Sequence, residues 1–242
     1  MSFVLVPSGA FRLPESIWFF GKLERHDMSL LTRALLILNP RRRIRAAFTQ
    51  HYRLNGWLDP ETVSGPGSSL ERTATIRREL PALFRELSIH SVLDAGCGDF
   101  NWFHTIDIAL DSYLGVEVVE ELAAVNRERY GTDRCRFVSL DVTRDDLPRV
   151  DLILCRDCLV HLKNRQVQAA LRSFRRSGSS YLLTTTFTGD RPNEDAPLGG
   201  WRPLNLARAP FNLGPPLRLI SEWESVEDPR YSDKSLGLWR LR

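Results

Sequence analysis

From residue 91 onward, short apolar runs alternate with segments of helical periodicity, and this alternation limits the possible folds more than any other sequence feature. Apolar runs separated by helices are typical of a parallel sheet with helices on both faces. Five such runs are SVLDAG at 91–96, SYLGVE at 112–117, CRFVSL at 135–140, DLILC at 151–155 and SYLLTTTF at 180–187. The helical patterns point two sets of side chains inward: Val119, Leu122 and Ala123, and Val167, Ala170, Leu171 and Phe174 of a helix at 164–176.

Two further apolar segments follow near the end of the chain, RLISEWES at 218–225 and SLGLWRL at 235–241. A short connection between two strands makes them antiparallel. The sequence therefore predicts an α/β fold with a doubly wound, mostly parallel sheet that closes with an antiparallel strand.

The first 60 residues differ from the remainder in charge, with nine Lys or Arg against four Asp or Glu. Helices are expected at 30–38 and 44–53, with an arginine cluster between them. This cluster fits either a solvated helix start or an arm that binds phosphates or a membrane surface. We therefore expect a helical N-terminal extension over residues 1–60 and a sheet domain over residues 61–242.

A helix before the first strand is predicted by apolar residues at helical spacing, from Ile76 to Leu87. Ser68 or Ser69 is a suitable cap for this helix. Pro81 lies inside the pattern and predicts a kink or a new helix start.

Residues 189–216 interrupt the alternation, since they hold six of the 14 prolines in the chain. A loop of this length inside a compact domain is usually functional or disordered. Its apolar residues favour a packed lid over disorder, and these are Trp201, Leu204, Phe211 and Leu213.

Composition and charge exclude several classes of protein. Hydrophobic residues make up 43% and charged residues 26%, which excludes wholesale disorder. The longest apolar run, at 34–38, is shorter than the roughly 18–20 residues of a membrane-spanning helix, and the first twenty residues make a poor signal peptide. Four cysteines without an export signal predict reduced thiols and a cytoplasmic location. A net charge of +3 does not point to a nucleic-acid partner.

The motif LDAGCGDFNW at 93–102 follows the first strand. Gly96 permits a tight turn, and Gly98 lets the backbone approach a ligand ahead of an expected helix start. Asn101 stands where a dinucleotide-binding loop carries its third glycine. The motif is therefore typical of a nucleotide-type loop but fits a pyrophosphate poorly.

Acidic residues end three of the other strands. Glu117 follows Gly98 by 19 residues, where an acid accepts hydrogen bonds from ribose hydroxyls. Asp141 ends the third strand, and Asp157 follows the fourth. Since open α/β sheets bind ligands at the carboxyl ends of their strands, we expect these groups to share one site.

With these motifs, residues 60–242 resemble the class I S-adenosylmethionine-dependent methyltransferases, and SGPGS, CRDCLVHL, WRPLNL and KSLGLWRL add a resemblance to a bacterial subgroup. The resemblance implies a seven-stranded Rossmann-like sheet whose last strand is antiparallel. It implies S-adenosyl-L-methionine as cofactor, with the ribose at Glu117 and the adenine edge at Asp141. The implied cofactor-binding residues are Asp94, Gly96, Cys97, Gly98, Asn101, Trp102, Glu117, Asp141, Val142, Cys155 and Arg156.

Methyl transfer to an oxygen or nitrogen atom of a small molecule, glycan or peptide requires alignment of the acceptor and removal of a proton. The candidate bases are His161 and Asp157, four residues apart beside the implied cofactor. A histidine that is buried against the sheet, and an aspartate that caps a helix or holds the cofactor, are the structural alternatives. Acceptor recognition is assigned to Trp201, Arg202 and Asn205 in the proline-rich segment.

Other interpretations compete with this one. An NAD(P)-dependent oxidoreductase is disfavoured by Asn101 and by the antiparallel closing pair, and a non-catalytic adaptor by the retention of the motif glycines and acids. The C-x-x-C at Cys155 and Cys158 has no second C-x-x-C to complete a zinc site, so no metal is expected.

Overall fold

A computed structural model describes residues 40–222 and 229–242. The helix expected at 30–38 and part of the segment at 218–225 lie outside the described residues. Pro40–Arg242 form one compact unit, which includes the second part of the expected N-terminal extension. The boundary at residue 60 stays a prediction. Within the described part of the chain, no helix has the length and apolar character needed to cross a membrane.

Four α-helices and seven strands make up the described fold. The helices are α1 (Pro40–Arg53), α2 (Ala74–Glu86), α3 (Glu120–Tyr130) and α4 (Asn164–Arg176). The strands are β1 (Ser91–Ala95), β2 (Ser112–Glu117), β3 (Cys135–Ser139), β4 (Leu152–Cys155), β5 (Tyr181–Phe187), β6 (Arg218–Ser221) and β7 (Lys234–Arg240). Short 3-10 turns occur at Pro66–Ser68, Phe103–Thr105, Leu159–His161 and Pro229–Tyr231.

The strands form one sheet in the order β3-β2-β1-β4-β5-β7-β6. The pairs among β1 to β5 are parallel, whereas β7 is antiparallel to both β5 and β6. The predicted fold class is confirmed. Because β7 runs against its neighbours, its first residue lies at the edge where the parallel strands end.

The sheet is covered on both faces. Leu93 and Ile153 belong to a buried cluster with Phe174 of α4, whereas Val92 and Leu152 belong to a second cluster with Leu80 of α2. Successive strand residues point to opposite faces of a sheet, so a strand covered on both sides is apolar throughout. This is why the central strands appear as continuous apolar runs in the sequence.

Helix α2 corrects the expected cap and excludes one of the two alternatives expected at Pro81. It begins at Ala74, after Thr73 and not at Ser68 or Ser69, and it continues through Pro81 to Glu86 without a new start. Proline removes one backbone donor from a helix. The fully buried neighbours Leu80 and Leu83 hold the chain against the sheet on either side of that position.

The glycine motif is followed by a 3-10 turn at Phe103–Thr105 and not by the expected α-helix. Aromatic packing shapes this stretch, because the rings of Phe100 and Phe103 lie 4.8 and 4.9 Å from the ring of Tyr113. Phe100 also has a positive φ of 60°, which an α-helix does not accommodate.

The proline-rich segment at 189–216 contains no helix or strand, yet it packs into the domain. Leu204 and Leu206 are fully buried and Phe211 is largely so. The backbone N–H of Phe187, at the end of β5, donates to the Leu204 carbonyl at 2.8 Å. The segment therefore packs against the domain, and its role as a lid stays a prediction.

Candidate functional site

A cleft of about 860 Å³, open to solvent, lies at the carboxyl ends of β1 to β4. The predicted site residues that line it are Gly96, Gly98, Glu117, Asp141, Val142, Arg156, Asp157 and His161.

The glycine loop forms one wall of this cleft. Gly96 and Gly98 have φ values of +84° and +57°. A Cβ at Gly96 would lie 2.9 Å from the Cys158 side chain, and one at Gly98 would lie 2.1 Å from Ser64 Oγ. Both positions therefore require glycine for conformation and for space.

Asp99 ties the segment before α2 to the glycine loop. Its Oδ2 accepts hydrogen bonds from Thr62 Oγ1 at 2.7 Å and from the Val63 N–H at 3.0 Å. Its Oδ1 accepts from Ser64 Oγ at 2.9 Å. Ser64 lines the cleft, so Asp99 positions a wall that it does not itself form. Asp99 was not among the predicted site residues.

Glu117 ends β2 and faces the same cleft. Its Oε2 accepts a hydrogen bond from the Gly98 N–H at 3.2 Å, and its Oε1 accepts one from the Val119 N–H at 3.0 Å. Burial raises the pKa of this carboxyl, and the backbone donors oppose that rise. Each carboxylate oxygen keeps capacity for a second donor, such as a hydroxyl.

Asp141 lies after β3 and presents an unsatisfied acceptor. Its Oδ1 accepts hydrogen bonds from the N–H and the hydroxyl of Thr143, at 2.9 and 2.6 Å. Its Oδ2 is buried and has no partner among the described residues. Because a buried carboxylate oxygen without a donor is costly, this atom fits a ligand that brings an N–H.

Four charged side chains, which we call the charge quartet, lie beside the end of β4: Arg156, Asp157, Glu222 and Lys234. Lys234 Nζ lies 2.6 Å from Asp157 Oδ2 and 3.2 Å from Glu222 Oε2. Arg156 donates from Nε to Glu222 Oε2 at 2.8 Å, and its Nη2 donates to the Gly67 carbonyl at 2.7 Å. The quartet thereby joins strands β4 and β7 to the loop before α2.

The quartet controls the ionisation of Asp157. Burial would raise the pKa of this carboxyl, but the charges of Lys234 and Arg156 lower it to about 2. Asp157 is therefore an ionised, paired carboxylate at neutral pH.

His161 lies in a 3-10 turn and lines the cleft. Its Nδ1 is 3.2 Å from the Gly200 carbonyl oxygen. Since a carbonyl only accepts, Nδ1 carries the proton and Nε2 is the acceptor of the neutral ring. Burial lowers the pKa of His161 and the charge of Asp157 partly opposes this. The ring centroid lies 5.6 Å from that of Trp57.

A second cleft of about 930 Å³ shares a wall with the first. The residues that line both are Trp57, Ser64, Ser68, Arg156, Asp157 and His161. Trp201, a predicted acceptor-contacting residue, lines the second cleft together with Glu222, Tyr231 and Lys234.

Five of the implied cofactor-binding residues lie outside both clefts. Asp94 accepts a hydrogen bond from the Tyr113 hydroxyl at 2.8 Å, and burial raises its pKa to about 7. Asn101 donates to Glu61 and to the Ser68 carbonyl. Trp102 packs under the Arg156 guanidinium, 5.4 Å from the ring centroid. Cys97 and Cys155 are buried. Burial raises the pKa of the Cys97 thiol, and a hydrogen bond with Cys158 together with burial raises that of Cys155.

Arg202 and Asn205 also lie outside both clefts. Arg202 donates to the carbonyls of Val160 and Glu194, at 3.0 and 2.9 Å. Asn205 donates from Nδ2 to the Gly189 carbonyl at 3.2 Å. Both side chains hold the proline-rich segment in place.

Helix α1 supplies three lining residues that were not predicted as site residues, Ile44, Phe48 and Tyr52. Their spacing of four residues was the available signal, because it places all three on one helical face.

No group of three or more His, Cys, Asp or Glu side chains within residues 40–222 and 229–242 has a metal-binding arrangement.

Comparison with known proteins gives a family match over part of the chain and a shared fold. Residues 92–178 match the family model described as a methyltransferase domain. A comparison with curated proteins finds no match. The solved structure of 1,6-didemethyltoxoflavin-N1-methyltransferase from Burkholderia thailandensis superposes with a TM-score of 0.55 at 17% identity, over 90% of this chain and 92% of that one. Magnesium protoporphyrin IX methyltransferase from Synechocystis PCC 6803 gives 0.54 at 14% identity, over 89% and 99%.

Proposed function

We propose that the chain transfers a methyl group from S-adenosylmethionine to an oxygen or nitrogen atom of a small molecule. The premise is that residues 92–178 form a methyltransferase domain on the class I fold. The methyltransferase assignment and the cofactor expected from the sequence agree with this family match. The choice of acceptor atom and acceptor class is our proposal.

The unpartnered Oδ2 of Asp141 is the observation that carries the cofactor assignment. An adenine amino group supplies the N–H donor that this atom needs. Glu117 lies in the same cleft and has acceptor capacity for ribose hydroxyls. The residues present therefore fit S-adenosylmethionine, with Asp141 and Glu117 on its nucleoside and the backbone at Gly96 and Gly98 beside it.

When bound, S-adenosylmethionine supplies a methyl group on a positively charged sulfur. The protein then has to align the acceptor, exclude water and take a proton. The acceptor atom would take the methyl group and the cofactor's sulfur would keep the electron pair of the carbon–sulfur bond. His161 Nε2 would accept the proton that the acceptor atom loses.

Of the two candidate bases, the geometry favours His161. Its pKa lies below the ordinary 6.5, so the ring is neutral and able to accept a proton at neutral pH. Asp157 has a pKa of about 2 and is held by Lys234, which makes it a weak base. We assign Asp157 the role of a fixed negative charge that stabilises the protonated ring of His161.

Support for a small-molecule acceptor comes from the second cleft, which opens onto His161 and has the aromatic side chains of Trp57 and Trp201 in its lining. The Burkholderia thailandensis structure of the same fold holds 1,6-didemethyltoxoflavin and S-adenosylhomocysteine. We extend that class of acceptor, a small molecule, to this chain.

Calorimetric titration with S-adenosylmethionine, S-adenosylhomocysteine and NADPH tests the proposal. We expect micromolar binding of the first two compounds and none of NADPH. Asp141→Asn places an amide donor toward the adenine amino group and should weaken binding at least about tenfold. Asp133→Asn, an exposed substitution, is the matched control. Binding of NADPH alone would replace methyl transfer with hydride chemistry.

A further inference from the structure

The second cleft combines aromatic walls with a buried charged floor. Trp57, Trp201 and Tyr231 line it, and the ring centroids of Trp201 and Tyr231 are 5.1 Å apart. The charge quartet lines the same space. Aromatic faces favour flat apolar ligands, whereas the quartet determines which polar groups such a ligand can carry.

The quartet contains two cations and two anions, and its members neutralise one another. The side chains of Arg156, Lys234 and Glu222 are only 4%, 7% and 1% exposed. Both cations already contact both carboxylates. A charged acceptor placed against the quartet would lose its hydration and would gain no counter-ion from it, because the four charges already pair with one another. The quartet therefore favours an uncharged acceptor.

Glu222 has a vacant acceptor position. Its Oε2 takes the contacts from Arg156 and Lys234, whereas its buried Oε1 has no hydrogen-bond partner among the described residues. A ligand that donates an N–H or O–H to this oxygen would satisfy it. An otherwise identical ligand without this donor should bind more weakly, because the carboxylate oxygen would then stay without a hydrogen bond.

We propose that the second cleft is the acceptor site and that it selects an uncharged, planar molecule whose N–H or O–H group is donated to Glu222. The aromatic side chains contact the ring of the acceptor, and His161, at the shared wall, faces its reacting atom. This inference rests on the proposed function for its link to methyl transfer. Its binding claim stands on the cleft alone.

Three naphthalenes test the claim on the full chain, with and without S-adenosylhomocysteine, by ligand-observed NMR titration to millimolar concentration. The probe 2-naphthol has the ring and a donor, 2-methoxynaphthalene has the ring alone, and 2-naphthoate has the ring and a negative charge. We expect 2-naphthol to bind at least about tenfold more tightly than 2-methoxynaphthalene. We also expect it to bind more tightly than 2-naphthoate.

Two matched tyrosine variants locate the binding. Tyr231 and Tyr181 each have an arginine over the ring, but only Tyr231 lines the cleft, since Tyr181 begins β5 at the opposite edge of the sheet. Tyr231→Leu should weaken 2-naphthol binding several-fold, and Tyr181→Leu should leave it unchanged.

Equal affinity for 2-naphthol and 2-methoxynaphthalene, no response to Tyr231→Leu, or no binding of any probe would overturn the proposal. Preference for 2-naphthoate would also overturn it and would assign an anion-binding role to Arg72, which lines the same cleft. Calorimetry with S-adenosylhomocysteine on the same samples separates the two hypotheses. If S-adenosylhomocysteine binds and 2-naphthol does not, the proposed function stands and the acceptor-site proposal fails. If 2-naphthol binds and S-adenosylhomocysteine does not, only the claim about the second cleft stands.

Discussion

The Lys234 ammonium lies 2.6 Å from the Asp157 carboxylate, across 77 residues of sequence. Lys234 is the first residue of β7 and Asp157 follows β4 by two positions. The antiparallel direction of β7 brings its start to the edge where β4 ends, and this is what makes the pair possible. The topology of the sheet therefore sets the ionisation state of a residue in the candidate site.

Lys234→Met should destabilise the protein by about 3–5 kcal/mol, because it leaves buried carboxylates without one of their cations. The free energy of unfolding from denaturant titration measures this loss. Combining Lys234→Met with Asp157→Asn should cost less than the sum of the single variants, by at least about 1 kcal/mol. Strictly additive losses would show that the two side chains are not coupled.

The same pair predicts a pH dependence of stability. The pKa of Asp157 is lowered from 3.8 to about 2, so its stabilising contribution is complete above pH 3.8. That contribution should disappear as the pH falls through about 2, and Asp157→Asn should remove this part of the acid transition.

His161 should give the proposed methyl transfer an acid limb in its pH–rate profile. Burial lowers its pKa below 6.5, and the neutral ring is the active form, so turnover should rise with pH and reach half its maximum below pH 6.5. His161→Gln should reduce turnover by about 10²–10⁴-fold and leave the affinity for S-adenosylhomocysteine unchanged. His90→Gln, at the opposite edge of the sheet, is the control.

A substitution at Asp157 tests the same assignment of His161 independently. Its negative charge raises the pKa of His161 against the effect of burial, so Asp157→Asn should move the acid limb to lower pH. A limb that stays in place would remove His161 from the proton transfer, as would equal turnover in His161→Gln and the wild type.

Glu117→Ala should weaken cofactor binding by about 1–3 kcal/mol, because the ribose hydroxyls lose a charged acceptor. Glu128→Ala, an exposed substitution on α3, controls for the loss of a carboxylate. Since burial raises the pKa of Glu117, affinity in the wild type should fall with decreasing pH through that raised pKa. Calorimetry at several pH values measures both effects. Unchanged affinity in Glu117→Ala would place the ribose elsewhere.

The features that could be predicted from the sequence are those marked by a pattern among neighbouring residues. The bounds of β2 at Ser112–Glu117 and of α4 at Asn164–Arg176 follow from apolar periodicity alone. Gly96, Glu117 and Asp141 share one cleft because parallel strands end at the same edge. Acids and glycines at the ends of strands can therefore be identified from the order of residues along the chain.

Contacts between distant segments were not predictable in this way. Glu222 and Arg156 are 66 residues apart, and no local pattern marks either as a partner of the other. Arg202 has the chemistry to bind an acceptor, but it donates instead to the carbonyls of Val160 and Glu194 and to the Asn164 side chain. Residue type thus indicates what a side chain can do, whereas the fold decides which partner it meets.

Asp99 provides a test of how far the site depends on a residue outside it. Asp99→Ala removes three hydrogen bonds that hold residues 62–64 against the glycine loop. Since Ser64 lines both clefts, the loop should open, hydrogen exchange over 62–68 should accelerate, and S-adenosylhomocysteine should bind more weakly by about 1–3 kcal/mol. Asp133→Ala, in an exposed turn, should change neither quantity. Faster exchange over 62–68 with unchanged affinity would show that this wall does not contribute to cofactor binding.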